Sequence, residues 1–456
     1  MNPELQRNLW LEATPRRLVW IGAAVGLVYV AALLAANGMA PGLNGSARAA
    51  QIVGAGLFVI AGFIWGPREA GQAVLVEIGQ RTWDFQRLSA LTPWSMAWGK
   101  LLGSTAVPWL VALTGLIGAT PGGIQRMGAL DWAHTVVTAI GIALILQAGA
   151  MALALVSVRK ARAEGRLATM RGVAGGLFGF IVFIWLVGNG ISLGFVLLTG
   201  GQSKHIDWSV LDFSQWWGMP VDPGAAFALS AAIYAGWAMV AAWRLMRLEL
   251  QMRNGPWTWV AFLLFSAVFL AGFAAHGGPA AEFAVAAGVF ATGAYAAAFA
   301  EPTERTRLRH FSEALRRFDI GRMMMTASAV FSPAKLMFWA VVGFALSPAA
   351  AYLGQRNPAA FGFAALAFLI RDLGVIFFFR YGPRPGRGDF GAVLALFMLY
   401  GVGGLLGSVF GHEPGRAMFA PDPNYPLVSL AAATILAVVA WVLALPRMRA
   451  PEQKAA

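Results

Sequence analysis

Residues 134–156 decide the fold class, and they read HTVVTAIGIALILQAGAMALALV. No Asp, Glu, Lys or Arg interrupts this stretch. A helix of about 20 apolar residues crosses the hydrocarbon core of a bilayer, which is about 30 Å thick. The strands of a membrane β-barrel would be only about ten residues long, with alternating polar and apolar side chains. Because similar apolar stretches recur along the chain, we expect a bundle of membrane-spanning helices.

The composition of the chain also indicates a membrane protein. Of its 456 residues, 58% are hydrophobic and only 12% are charged, against about 25% charged in an ordinary soluble domain. A soluble fold of this length could not bury so much apolar surface and expose so few charges. The apolar content excludes a disordered chain, and the absence of cysteine excludes a disulfide scaffold. We therefore predict an all-α, polytopic helical membrane protein.

Apolar stretches indicate about 12 transmembrane helices in two groups of six. The first group belongs to residues 1–250, with spans near 18–36, 51–67, 101–119, 134–156, 173–198 and 224–243. The second group belongs to residues 251–456, with spans near 257–275, 282–300, 336–353, 360–379, 390–409 and 426–445.

The distribution of positive charge predicts the orientation of these spans. If both termini are cytoplasmic, 28 of the 34 Lys and Arg residues fall in inner segments. The outer segments hold five, and the last one, Arg371, lies inside a span. An excess of Lys and Arg marks the cytoplasmic side of a membrane protein. We therefore interpret the net charge of +13 as a topology signal beside the lipid bilayer, and we expect no nucleic-acid partner.

The residues before the first span predict a short amphipathic helix on the cytoplasmic surface. Its apolar side chains suit the membrane interface; they are Leu5, Leu9, Trp10 and Leu11. The charged side chains Glu4, Arg7 and Glu12 are expected to face water.

A longer inner segment, residues 68–100, follows the second span. On a helix, Glu77, Arg81 and Asp84 fall within about 60° of one another, at roughly 100° per residue. Gly79 is expected to divide the helix, and Pro93 is expected to end it. The pattern predicts an amphipathic helix over 68–97 with an ordered charged face. Such a helix is either a lipid-lying connector or a docking surface for a cytoplasmic partner.

The order of residues in this segment resembles a known family. Glu77, Arg81–Thr82, Leu91–Thr92–Pro93 and Gly99–Lys100–Leu101 follow one another here. This run is similar to the stretch after the second span in ABC type-2 permeases, the membrane subunits of ATP-driven exporters. The family usually has Gly where this chain has Arg81. The resemblance extends over residues 1 to about 250.

The resemblance implies a permease in a bacterial inner membrane, with a separate ABC ATPase subunit as its partner. In the family, the helix after the second span packs on the N-terminal helix and contacts the ATPase. The coupling surface implied here comprises Glu77, Arg81, Thr82, Asp84, Arg87, Pro93 and Lys100. ATP and Mg are then expected on the partner ATPase subunit, with no cofactor in this chain.

The second half carries a related pattern. Glu301, Arg305 and Thr306 match the spacing of Glu77, Arg81 and Thr82, and both sets follow the second span of a six-span group. This similarity suggests a degenerate repeat with a second coupling loop. Either one chain supplies both membrane halves of a transporter, or the first half pairs with a second copy and the second half is an accessory bundle.

Enzymatic motifs are missing from the sequence. No G-x-x-x-x-G-K-[ST] phosphate-binding loop occurs, and the five His residues are scattered without a metal-binding spacing. We therefore expect neither ATP hydrolysis by this chain nor a metal site. A membrane transferase, the enzyme alternative, would need clustered Asp, Glu or His residues at one face.

Two ionisable residues lie inside the tenth predicted span. Arg371 and Asp372 are adjacent, and adjacent positions do not face each other on a helix, so each is expected to need its own partner. They form either interhelical hydrogen bonds or a substrate contact. The alternative function that they suggest is an ion-coupled secondary transporter with a site at mid-membrane depth.

Overall fold

A computed structural model describes most of the chain. The described residues are 2–39, 43–80, 91–163, 213–252, 254–255, 257–300, 358–382, 388–410, 412–422 and 424–449, together with the single residues 313 and 317.

The described part of the first half contains eight α-helices. They are α1 (Pro3–Glu12), α2 (Pro15–Met39), α3 (Leu43–Phe58), α4 (Gly66–Gly79), α5 (Pro93–Ser104), α6 (Ala106–Met127), α7 (Ala129–Ala163) and α8 (Pro223–Glu249). A π-helical segment, Val59–Trp65, joins α3 to α4 without a break. The short strands β1 (Gln215–Trp216) and β2 (Met219–Pro220) form an antiparallel pair before α8.

The described part of the second half is also helical. Its α-helices are α9 (Trp257–Ala271), α10 (Gly278–Ala300), α11 (Pro358–Arg380), α12 (Gly388–Phe397), α13 (Gly404–Phe410), α14 (His412–Arg416) and α15 (Pro426–Arg449). A 3₁₀ segment, Gly272–Gly277, joins α9 to α10, and a π-helical segment, Met398–Gly403, joins α12 to α13.

The all-α, multi-pass membrane architecture is confirmed. Within the described residues, ten helical stretches are long and apolar enough to cross a membrane, and each corresponds to a predicted span. The other two predicted spans, near 173–198 and 336–353, lie outside the described residues. The number 12 therefore stays a prediction.

A buried amide accompanies the π-helical segment of the second span. Such a segment interrupts the regular backbone hydrogen bonding of a helix. The Gln147 side chain is fully buried; its Nε2 donates to the Gly62 carbonyl (3.2 Å), and its Oε1 accepts from Trp109 Nε1 (2.8 Å). The Gln147 amide thus hydrogen-bonds a buried backbone carbonyl of the second span and an indole of α6, and it links both to α7.

The two halves contact each other near both ends of the bundle. At one end, Trp216 Nε1 donates to the Phe269 carbonyl (3.1 Å), and the Trp217 backbone N–H donates to the Gly272 carbonyl (2.8 Å). Near the other end, Lys160 Nζ lies 2.6 Å from Asp389 Oδ2. Between these contacts, aromatic rings of α8 pack against those of α9.

The segment after the second span differs from its prediction. Helix α4 continues the second span through the π-helical segment and ends at Gly79, as the sequence indicated. Pro93 begins α5, with the Thr92 side chain accepting from the Ser95 N–H (3.2 Å); the expectation that Pro93 also ends a preceding helix concerns residues 81–90, which lie outside the described residues. Proline suits the first helical position, where its missing N–H would have no helical partner.

Candidate functional site

Helix α1 lies directly on α5, and two glycines permit this close approach. A Cβ atom at Gly99 would lie 2.7 Å from Glu4 Cβ and 2.9 Å from Leu5 N. A Cβ atom at Gly103 would lie 2.5 Å from Asn8 Cβ. Residues four apart share one face of a helix. The spacing Gly99-x-x-x-Gly103 therefore forms a flat surface on α5 for α1.

Four charged residues join α1 to α5 and to the end of the second span; we call them the ion cluster. Lys100 Nζ lies 2.8 Å from Glu4 Oε1 and also pairs with Glu77 Oε2. Arg7 Nη2 lies 3.0 Å from Glu4 Oε1 and also pairs with Glu77 Oε1. The side chains of Lys100 and Glu4 are only 1% and 4% exposed. Among the described residues, two positive and two negative charges thus meet in the ion cluster.

Two asparagines lie at the contact between α1 and α5. The Asn2 side chain accepts from the Glu4 backbone N–H (3.0 Å) and caps α1, while its Nδ2 donates to the Ser95 carbonyl (2.6 Å). Asn8 Nδ2 donates to the Glu4 carbonyl (2.9 Å). Asn2 thus adds a hydrogen bond between α1 and α5, whereas the Asn8 hydrogen bonds lie within α1.

The predicted orientation of the N-terminal helix was partly wrong. Glu4 is buried in the ion cluster and does not face water. The reason is that Lys100, 96 positions away in sequence, supplies a buried partner for its carboxylate. Trp10 and Leu11 are 74% and 67% exposed, so their side chains are available to the membrane interface.

The structure brings together some of the predicted coupling residues. Glu77 and Lys100 meet in the ion cluster, and Pro93 begins the helix that carries Lys100. The other predicted residues lie outside the described residues; they are Arg81, Thr82, Asp84, Arg87, Glu301, Arg305 and Thr306.

Sequence reasoning missed the partners that α1 contributes. Glu4, Arg7 and Asn8 were assigned no contact with the segment after the second span. The sequence signal for such a contact was the pair Gly99 and Gly103, because small residues four apart are typical of close helix packing.

A second polar site lies inside the second half. Arg371 Nε donates to Asp372 Oδ1 (2.8 Å), although adjacent positions were not expected to face each other; each residue also has partners of its own, as expected. The long, flexible arginine side chain reaches back along α11 to the adjacent carboxylate. Tyr295 and Tyr400 each donate a hydroxyl to Asp372 Oδ2 at 2.6 Å. Arg371 and Asp372 side chains are each only 1% exposed.

The remaining contacts of Arg371 are also within the protein. Its Nη1 donates to the Phe419 carbonyl (3.2 Å), and its guanidinium lies 4.5 Å from the Phe368 ring centroid and 4.7 Å from that of Tyr400. The carboxylate and the guanidinium thus bind several segments of the second half together. These are the contacts of interhelical hydrogen bonding, one of the two alternatives that the sequence left open.

Ion pairs also occur at the end of the fourth span. Asp389 bridges the two halves, since it lies 2.6 Å from Lys160 Nζ and 2.9 Å from Arg380 Nε. Nearby, Arg162 Nη1 lies 3.0 Å from Glu249 Oε2, whose side chain is buried. In the described part of the chain, no group of three or more His, Asp or Glu residues could hold a metal ion.

No family model matches the chain, and neither the curated proteins nor the solved structures contain a significant match. The functional interpretation therefore depends on the geometry described above and on the motif of residues 77–101.

Proposed function

We propose that this chain is the membrane-spanning permease subunit of an ABC exporter in a bacterial inner membrane. A separate ATPase subunit hydrolyses ATP on the cytoplasmic side, where both termini of this chain lie. The chain supplies the translocation path and the surface that receives the motion of the ATPase.

The ion cluster is the observation that carries this proposal. Glu77 and Lys100 belong to the motif that resembles the family, and both pair with charges of the N-terminal helix. The family resemblance implies a contact between the N-terminal helix and the segment after the second span. A contact of this kind is present, through side chains that the motif itself includes.

The geometry suggests how motion would pass from the ATPase to the spans. Residues 81–92 connect α4 to α5, and we propose that they carry the ATPase contact. Because α4 continues the second span and α5 precedes the third, displacement of this connector acts on both spans. The ion cluster ties α1 to the same corner, so α1, α4 and α5 move as one unit.

The structure determines which residues should be changed in a test. Glu77 has internal partners, so its reversal would disturb the joint between α1 and α5 as well as any ATPase contact. Asp84→Arg and Arg87→Glu change the proposed contact without removing a member of the ion cluster. Arg48→Glu is the matched control, since Arg48 is exposed on α3 at the predicted outer side.

The experiment is co-purification with an ABC ATPase encoded beside this chain, using a tag on this chain alone. We expect the ATPase to co-elute with the wild type and with Arg48→Glu, and to be lost from Asp84→Arg and Arg87→Glu. A monodisperse wild-type chain that binds no ATPase would contradict the proposal and favour the secondary transporter.

The same preparation distinguishes the two architectures. One chain per two ATPase subunits would mean that this chain supplies both membrane halves. Two chains per two ATPase subunits would mean that it pairs with a second copy and that residues 251–456 form an accessory bundle.

A further inference from the structure

A groove lies at the junction of α1 and α2, where the first predicted span begins. It is shallow and broadly open, with a volume of about 520 Å³. This volume falls in the range of about 300–1,000 Å³ that small-molecule sites occupy. Its lining combines two guanidinium groups with large apolar side chains; the residues are Thr14, Arg16, Arg17, Trp20, Ile21 and Trp65.

The two arginines of the groove differ in their partners. Arg17 Nη1 pairs with the Glu12 carboxylate and lies 3.4 Å from the Glu12 carbonyl, and its guanidinium is 6.0 Å from the Trp65 ring centroid. Arg16 is exposed, and among the described residues it makes no ion pair. Arg16 therefore gives the lining one positive charge that Glu12 does not neutralise, and the nearby Glu69 carboxylate accepts from Trp65 Nε1 (2.8 Å).

The surroundings of the groove are those of a membrane interface. The first candidate span begins at Pro15, next to both arginines. Trp20 is 69% exposed one turn further along α2, and Trp10 is exposed on α1. Tryptophan is enriched at the level of the lipid headgroups. The groove thus presents positive charge beside exposed apolar rings, the combination that an anionic amphiphile requires.

We propose that this groove binds one anionic phospholipid. Arg16 donates to the phosphate through the planar guanidinium, which suits two oxygens of one phosphate group. Arg17, which Glu12 and Trp65 hold in position, lies on the other side of the headgroup. Trp20, Ile21 and Trp65 contact the part of the acyl chains nearest the glycerol. The site does not depend on the exporter proposal, and its failure would leave that proposal intact.

The test is native mass spectrometry of the delipidated full chain, titrated with phosphatidylglycerol or with phosphatidylcholine of the same acyl length. We expect one phosphatidylglycerol to bind more tightly than any phosphatidylcholine. Arg16→Gln should weaken that binding about fivefold, since one basic residue near the surface contributes about 1 kcal/mol to attraction for anionic lipid. The double variant with Arg17→Gln should weaken it further, because it leaves the Glu12 carboxylate without its cation beside the phosphate. Glu12→Gln should instead tighten binding, because it removes the opposing carboxylate.

Matched variants separate the groove from general charge. Arg68→Gln with Arg159→Gln removes two positive charges on the same predicted side and should leave phosphatidylglycerol binding unchanged. Arg16→Lys with Arg17→Lys retains the charge and should bind with an intermediate affinity. If the Arg16→Gln, Arg17→Gln variant bound phosphatidylglycerol as tightly as the Arg68→Gln, Arg159→Gln variant, the proposal would be overturned. Displacement of the lipid by inorganic phosphate would show an anion site, which also overturns it.

Discussion

Replacement of Lys100 by Met tests whether the ion cluster holds α1 in place. Methionine retains most of the side-chain volume but removes the charge. Among the described residues of the ion cluster, Arg7 would then be the remaining cation for both Glu4 and Glu77, which leaves one excess negative charge there. Removing one partner of a buried ion pair costs about 3–5 kcal/mol.

The structure places the expected cost at the lower end of that range. Arg7 and Glu77 side chains are 41% and 14% exposed, so water screens part of the uncompensated charge. We expect about 3 kcal/mol, which corresponds to a roughly hundredfold increase in the equilibrium constant for undocking of α1. The change is local, because α1 contacts the rest of the chain mainly through α5.

Hydrogen exchange of the α1 backbone measures this effect directly. The backbone N–H groups of residues 4–12 should exchange roughly a hundredfold faster in Lys100→Met, with little change in α7. The double variant Glu77→Gln with Lys100→Met leaves Glu4 and Arg7 as one negative and one positive charge. Because these charges balance, the double variant should recover most of the protection of α1 against hydrogen exchange. Equal exchange in the wild type and in Lys100→Met, or no recovery in the double variant, would refute the reasoning.

Three further changes test the close packing and the buried polar groups. Gly103→Val should expose α1 to limited proteolysis, because its Cβ has no room, whereas Gly22→Ala, with no described neighbour within 4 Å, should not. Gln147→Leu should lower the stability by about 1–3 kcal/mol in denaturant titration, since it leaves a carbonyl and an indole N–H unpaired. Asp372→Ala should lower the melting temperature more than the double variant Asp372→Ala with Arg371→Met, because the single variant leaves the buried Arg371 charge uncompensated. Equal melting temperatures would contradict the pairing of Arg371 with Asp372.

Parts of the candidate site could be predicted because they depend on neighbouring residues. The end of α4 at Gly79 follows from the poor helix propensity of glycine. The motif from Glu77 to Lys100 was visible as spacing along the chain. That Pro93 begins α5 was not predicted, because proline is compatible with both the end and the start of a helix, and the Thr92 cap marks the start here.

The partners of the charged groups could not be predicted in the same way. Glu4 pairs with a residue 96 positions away, and Arg7 with one 70 positions away. Asp372 accepts from Tyr295 and Tyr400, which come from two other helical segments. No local pattern records which helices are neighbours or how each is rotated about its axis.

The sequence by itself determined the membrane class, the helical fold and the approximate place of the spans within the described residues, although the third span, predicted near 101–119, is the helix Ala106–Met127. These properties follow from the high free energy of polar groups in hydrocarbon. Whether a segment can cross the bilayer therefore depends on about 20 consecutive residues, which can be read directly from the sequence. Only the tertiary structure decided which polar groups meet: the ion cluster, the Gln147 contact and the Arg371–Asp372 site. Buried polar groups require partners, but helix packing over long sequence distances selects them.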